Sequence, residues 1–108
     1  MIIALRPIIH GVLHVAVPGL VARLCFRDRW RWAWGVMLLT LVVDLDHLLA
    51  VPVYDPNRCS IGTHPLHTLP VIGIYAVMAA IPWLRLVGFG LLIHMGLDVV
   101  DCFWMELD

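Results

Sequence analysis

The sequence predicts an all-α membrane protein, a four-transmembrane-helix bundle in which successive helices run up and down. Hydrophobic residues make up 62% of the 108 residues and charged residues only 14%, whereas soluble domains are close to half apolar and a quarter charged. A domain this small leaves much of its surface in water and cannot bury such an excess. The apolar residues also fall into four runs. We therefore expect a single integral membrane domain over residues 1–108.

The four apolar runs predict the four helices. The first covers about 8–22, and no small-residue cleavage site follows it, which indicates a retained helix and not a signal peptide. The second covers about 30–49 and ends before Pro52, because helices rarely continue to a proline. The third and fourth cover about 69–83 and 86–104. Each uninterrupted apolar run is shorter than the roughly 20 residues that cross a hydrocarbon core, so each span must include polar residues at one end.

Arginines predict how the helices are oriented. The first linker contains four of them: Arg23, Arg27, Arg29 and Arg31. The third linker contains Arg85, whereas the opposite side has only Arg6 and Arg58 and an acidic C-terminus with Glu106 and Asp108. We expect the first and third linkers in the cytoplasm. Both termini and the long second linker then face outside.

Ionisable residues of the helices and of the second linker lie toward one end of the predicted bundle. They are His10, His14, Asp44, Asp46, His47, His64, His67, His94, Asp98 and Asp101. In an up-down bundle these positions meet on the side away from the first linker. Ionisable groups at membrane depth are costly and are rarely kept without a role. This convergence therefore predicts a functional site near the outer leaflet.

The spacing of these groups is typical of a metal site. In the first and fourth helices they repeat every three or four residues, which places each set on one helix face. Asp44 and His47 share a face, whereas Asp46 points elsewhere unless the helix ends there. Imidazole nitrogens and carboxylate oxygens are usual ligands of Zn²⁺ and similar ions. The groups exceed what one four-coordinate ion needs, so either two ions bind or some groups orient the ligands.

Simpler interpretations apply to individual residues. His14 or His67 can be a hydrogen-bonded packing residue, and Asp101 can be a wet interfacial residue. Asp55 and Arg58 suit a turn pair. The three cysteines are far apart in sequence and form no CxxC pair, so neither a zinc knuckle nor a disulfide framework is indicated.

Several motifs resemble a family of small, uncharacterised bacterial membrane proteins. They are His10-x-x-x-His14, Asp44-x-Asp46-His47, Gly62-Thr63-His64-Pro65-Leu66-His67 and His94-x-x-x-Asp98. That family is similar to inner-membrane proteins described as metal-dependent hydrolases, and more remotely to zinc-dependent phospholipase C. The resemblance implies a bacterial inner-membrane location and a metal site that faces the periplasm. The chain lacks the later HxxxE helix of phospholipase C, so one or two ions are expected and not three.

These observations favour a membrane-embedded metal-dependent hydrolase of a phosphate ester in a lipid or lipid-linked substrate. The cofactor is a divalent metal, zinc first, with manganese or iron as alternatives. Asp44 or His67 is assigned as general base or proton shuttle, and Arg58 as a bidentate phosphate ligand. The predicted metal ligands are His10, His14, Asp46, His47, His64, His94 and Asp98.

Three other functions stay open. The site can bind or transport metal ions or protons, hold a haem between facing histidines, or dock a partner subunit. No nucleic-acid partner is expected, because the net charge is −1 and there is no basic stripe.

Overall fold

A computed structural model describes residues 2–52, 55 and 58–107. Over these residues the chain is helical, with four α-helices: α1 (Ile2–Cys25), α2 (Trp30–Leu39), α3 (Leu69–Ala80) and α4 (Arg85–Leu107). Three 3₁₀ segments complete it: Arg27–Arg29, Thr40–Leu49 and Pro65–His67. Asp108, which contributed to the expected acidic C-terminus, lies outside the described residues. The prediction of an all-helical chain with four helices is confirmed.

Three helical stretches are long and apolar enough to cross a membrane: Leu5–Cys25, Arg27–Leu49 and Arg85–Leu107. Each is longer than the apolar run that predicted it, because the helix continues into polar residues at its ends. The apolar helix α3 has only 12 residues, well below the roughly 20 that cross a hydrocarbon core. A fourth span and the up-down arrangement stay predictions.

Helix α4 packs against α1, α2 and α3, and two of its glycines make this close packing possible. A Cβ at Gly88 would lie 2.4 Å from the backbone nitrogen of Ala79 in α3. A Cβ at Gly90 would lie 2.8 Å from Thr40 Oγ1 and 3.0 Å from Met37 Cα. These contacts set the distance from α4 to its neighbours one turn before the polar residues of α4 begin.

The second predicted helix is not α-helical to its end, which corrects the expected continuous helix over 30–49. From Thr40 to Leu49 it tightens into a 3₁₀ helix. Residues three apart eclipse one another in this conformation, so Thr40, Val43 and Asp46 form one column, and all three are buried. The tightening therefore turns Asp46 into the protein, where an α-helix would direct it elsewhere.

Candidate metal centre

Four side chains converge at one end of the bundle and form a tetrad: Asp44, His67, His94 and Asp98. His94 Nε2 lies 2.9 Å from Asp44 Oδ1 and 3.2 Å from Asp98 Oδ2. His67 Nε2 lies 3.2 Å from Asp44 Oδ1 and 3.1 Å from Asp98 Oδ2. The two Nε2 atoms are 3.3 Å apart. Three segments of the chain thus bring two nitrogens and two oxygens to one point.

The tetrad has the donor chemistry and the spacing of a divalent-metal site. Ligand atoms about 2.0–2.1 Å from a tetrahedral Zn²⁺ lie roughly 3.3 Å from one another. Asp98 Oδ2 is buried and, among the described residues, has no hydrogen-bond partner of normal geometry, although His67 and His94 lie beside it. A divalent ion fits the space that Asp98 Oδ2 shares with the two imidazoles.

Asp98 presents its other oxygen to a second pair of histidines. Asp98 Oδ1 lies 3.1 Å from His10 Nε2 and 3.4 Å from His14 Nε2, both in α1. His14 Nδ1 lies 2.9 Å from the carbonyl oxygen of His10, which can only accept a hydrogen bond. The proton of neutral His14 is therefore on Nδ1, so Nε2 presents a lone pair. One carboxylate thus lies between two sets of possible metal ligands.

Asp46, a predicted ligand, holds the neighbouring histidines in place. Its Oδ2 accepts hydrogen bonds from His67 Nδ1 at 2.9 Å and from the Leu66 backbone at 2.8 Å. Its Oδ1 lies 3.1 Å from His47 Nδ1. A carboxylate on the far nitrogen of a metal-binding histidine sets the orientation of the ring and strengthens the ligand. Tyr75 also supports this segment, because its hydroxyl donates to the Leu66 carbonyl at 2.9 Å.

The carboxylates around His67 control its charge. Burial lowers the pKa of His67, but hydrogen bonds to Asp44, Asp98 and Asp46 outweigh burial and raise the pKa to about 10. A proton or a metal ion on the imidazole balances the negative charge that surrounds it.

A third group of possible ligands consists of Asp46, His47 and His64. The rings of His47 and His64 stack with centroids 3.7 Å apart. Burial, with the neighbouring His47, lowers the pKa of His64. Ser60 Oγ lies 3.3 Å from His47 Nε2. The sequence offered nothing to orient Ser60, because this contact depends on how the loop folds back onto the 3₁₀ segment.

A polar pocket of about 190 Å³ gives access to the centre. The side chain of Asp44 is 46% exposed and, with Arg58, lines this pocket. Arg58 Nη1 donates to the Pro52 carbonyl at 2.9 Å, which holds the guanidinium at the rim. Arg6 Nη1 pairs with Asp101 Oδ1 at 3.1 Å in the same pocket. Asp101 is therefore a mostly buried ion-pair partner of Arg6.

The rings of His14 and His94 lie too close together to hold a haem between them. The rings of His14 and His94 meet edge to face with centroids 4.4 Å apart. A porphyrin has no room between rings in direct contact.

A disulfide joins Cys59 in the loop to Cys102 in α4, with Cα atoms 5.1 Å apart. The bond ties the loop that carries Ser60 and His64 to the end of α4. This bond corrects the expectation that the cysteines indicate no disulfide. The two cysteines are 43 residues apart in the sequence, so only the fold shows that they meet. Cys25 is free and exposed at the end of α1.

Comparison with protein families finds that a model described as "Family of unknown function (DUF6122)" matches residues 4–105. Searches of curated proteins and of solved structures return no match.

Proposed function

This chain belongs to the DUF6122 family, whose function is unknown, and we propose that it is a metal-dependent hydrolase. Its proposed substrate is a phosphate ester in a lipid or lipid-linked molecule. The observation that carries the proposal is the tetrad, in which the two imidazole nitrogens lie 2.9–3.3 Å from each other and from one oxygen of each aspartate. Soluble metal hydrolases use the same donor types, with a position left for water. The proposed cofactor is one or two divalent ions, zinc first, with manganese or iron as alternatives.

His67, His94 and Asp98 are the proposed permanent ligands, because all three are buried. A second ion would be held by Asp98 together with His10 and His14 of α1. When bound, a divalent metal would polarise a phosphoryl oxygen and lower the pKa of a water molecule. Asp44 belongs to the tetrad and also lines the pocket, so its carboxylate accepts the proton of the attacking water. Arg58 holds the phosphate at the rim.

The reaction is a simple hydrolysis. Water oxygen bonds to phosphorus, the ester P–O bond breaks, and the alcohol leaves with a proton. Asp46 takes no part in this exchange, because its two oxygens are already engaged by His67, His47 and the Leu66 backbone. It positions His67 and preserves the tautomer that presents Nε2.

Elemental analysis of the detergent-purified protein tests the proposal, followed by hydrolysis assays on phosphatidic acid, phosphatidylcholine and a lipid pyrophosphate. We expect stoichiometric metal, and phosphate or headgroup release that a chelator abolishes and added metal restores. A protein that is metal-free and takes up none contradicts the proposal. Bound metal with no hydrolysis of any of these lipids favours the alternative, a metal-ion or proton binding or transport protein.

The site is proposed to face the periplasm, with both termini outside. Disulfides persist in oxidising compartments, and Cys59–Cys102 lies at the site end of the molecule. The arginine-rich first linker follows α1 at its other end, where free Cys25 lies. Two independent signals, redox chemistry and the arginine distribution, therefore favour the same orientation.

Cysteine labelling of intact cells tests this orientation. In a Cys25→Ser background, we expect a membrane-impermeant maleimide to label Glu106→Cys and to leave Asp28→Cys unlabelled until the cells are permeabilised. Both positions are exposed in the folded chain, so burial does not explain a difference between them. Labelling of Asp28→Cys alone in intact cells means that the topology is inverted.

A further inference from the structure

The surface of α1 carries an apolar groove that the proposed chemistry does not use. The groove has a volume of about 870 Å³ and is lined by one face of α1 with Trp30 and Trp34 of α2. Ligand pockets typically measure about 300–1,000 Å³. Apart from Arg23 at its far end, the lining is apolar. Ile8 is 63% exposed and Val12 is 58% exposed, so large apolar side chains lie open along it.

The sequence of α1 creates this groove. Its lining residues recur every four positions from Pro7 to Arg23, which places them on one helix face. Two of them are Gly11 and Gly19, and glycine leaves a depression in a helix surface. A Cβ at Gly19 would lie 3.0 Å from the Trp34 side chain. The glycine therefore allows the Trp34 indole, which lines the groove, to pack closely against α1. At Gly11, by contrast, a Cβ would meet nothing within 4 Å, and the groove is open there.

The groove and the polar pocket adjoin each other. Pro7 and Gly11 line both of them, and His10 lies in the polar pocket beside them. The helix rises about 24 Å over the sixteen residue steps from Pro7 to Arg23. One leaflet is about half of the roughly 30 Å hydrocarbon core, so the groove is long enough for an acyl chain in that leaflet. A molecule that fills both spaces has a polar, metal-binding head and a long apolar tail.

We propose that the groove binds an acyl chain of the substrate, whose phosphate lies at the metal centre. The inference rests on the proposed function and narrows its substrate class to long-chain phospholipids. We favour this occupant over a second copy of the chain, because the polar groups that adjoin one end of the groove, His10 among them, match a polar headgroup and not a continuing apolar helix face. Gly11 lies where the headgroup meets the chain and sets how deeply the chain enters.

Two glycine variants test the groove. Gly11→Leu fills the groove where it adjoins the polar pocket, which Gly11 also lines. Gly73→Leu in α3 is the matched control, since a Cβ there also meets nothing within 4 Å and Gly73 lies outside the groove. The readout is the ratio of the hydrolysis rates of dipalmitoyl and dibutyryl phosphatidic acid, because an effect of the leucine on the polar pocket lowers both rates alike. We expect this ratio to fall roughly tenfold or more in Gly11→Leu, while Gly73→Leu has the ratio of the wild type.

A second measurement reports the groove without relying on catalysis. A phosphatidic acid with a diazirine in its acyl chain is cross-linked to the detergent-purified protein, and the labelled residues are mapped by mass spectrometry. We expect labels on α1 between Val12 and Leu20 in the wild type and Gly73→Leu, and their loss in Gly11→Leu. Equal labelling of the two variants overturns the proposal. So does a dimer that contacts itself through this face of α1 and dissociates in Gly11→Leu.

The two measurements together separate this inference from the proposed function. If the wild type hydrolyses neither lipid but Gly11→Leu loses the groove labels, the proposed hydrolase function is wrong and the proposed acyl-chain binding is supported. If the wild type hydrolyses both lipids, and Gly11→Leu has the chain-length profile and labels of Gly73→Leu, the groove fails and the hydrolase stands.

Discussion

Replacing Asp98 with asparagine is expected to abolish the proposed metal binding and, with it, the proposed hydrolysis of lipid phosphate. Asp98 belongs to two of the three groups of possible ligands. Its Oδ2 lies beside His67 and His94, and its Oδ1 lies beside His10 and His14. The amide has no negative charge and replaces one of these oxygens with an NH₂ group. Loss of a supporting contact alone lowers metal affinity about 10–100-fold, so loss of a shared ligand costs at least that much. Elemental analysis of the purified variant measures the effect.

Asp101→Asn is the matched control, one helical turn further along α4. Asp101 lines the same pocket but pairs with Arg6, and it belongs to none of the ligand groups. We expect this variant to retain its metal. Monodisperse gel filtration of both variants shows that they fold, and His94→Gln gives a second test at the tetrad. If Asp98→Asn keeps the full metal content of the wild type, the ion binds elsewhere.

The second large effect is expected from Gly88→Val, which separates α4 from α3. The Cβ alone would approach the Ala79 nitrogen to 2.4 Å and the Ala79 Cα to 2.7 Å. Backbone atoms on both helices cannot yield as a flexible side chain can, so the helices must move apart. Overpacking typically costs about 1–3 kcal/mol, occasionally more, and here we expect the upper end or failure to fold. Thermal unfolding in detergent, with metal content as a second readout, measures the result.

Gly96→Val is the control for this prediction, because it places the same residue in the same helix. A Cβ at Gly96 meets nothing within 4 Å, and valine has a slightly higher helix propensity than glycine, so we expect no loss of stability there. An equal fall in melting temperature for the two variants would mean that α3 and α4 do not pack closely at Gly88.

Much of this protein follows from its sequence. Excess apolar composition predicts helices in a bilayer, and the runs of apolar residues predict where the helices lie. A helix rises by a fixed amount per residue, so the sequence also predicts how far along the bundle each polar residue lies. For this reason the expected gathering of histidines and aspartates at one end needed no knowledge of which helix touches which.

The direction of each side chain depends on local geometry that hydropathy does not reveal. An α-helix turns about 100° per residue and a 3₁₀ helix about 120°, so the difference grows to about 120° over the six residues from Thr40 to Asp46. That rotation buries Asp46 in the same column as Val43. Asp46 therefore meets His67 Nδ1, and a residue expected to point elsewhere positions a proposed ligand.

The sequence by itself determined the class of the protein and the residue types at its site, because apolar content and helical rise are properties of the chain alone. Only the tertiary structure decided the partners. The contact of both Asp98 oxygens with different histidines, the Arg6–Asp101 pair and the Cys59–Cys102 bond all join segments far apart in sequence. Such contacts depend on the distance and rotation between helices. Close packing at Gly88 and Gly90 sets the distance of α4 from α3 and α2, and the 3₁₀ segment sets the direction of Asp46.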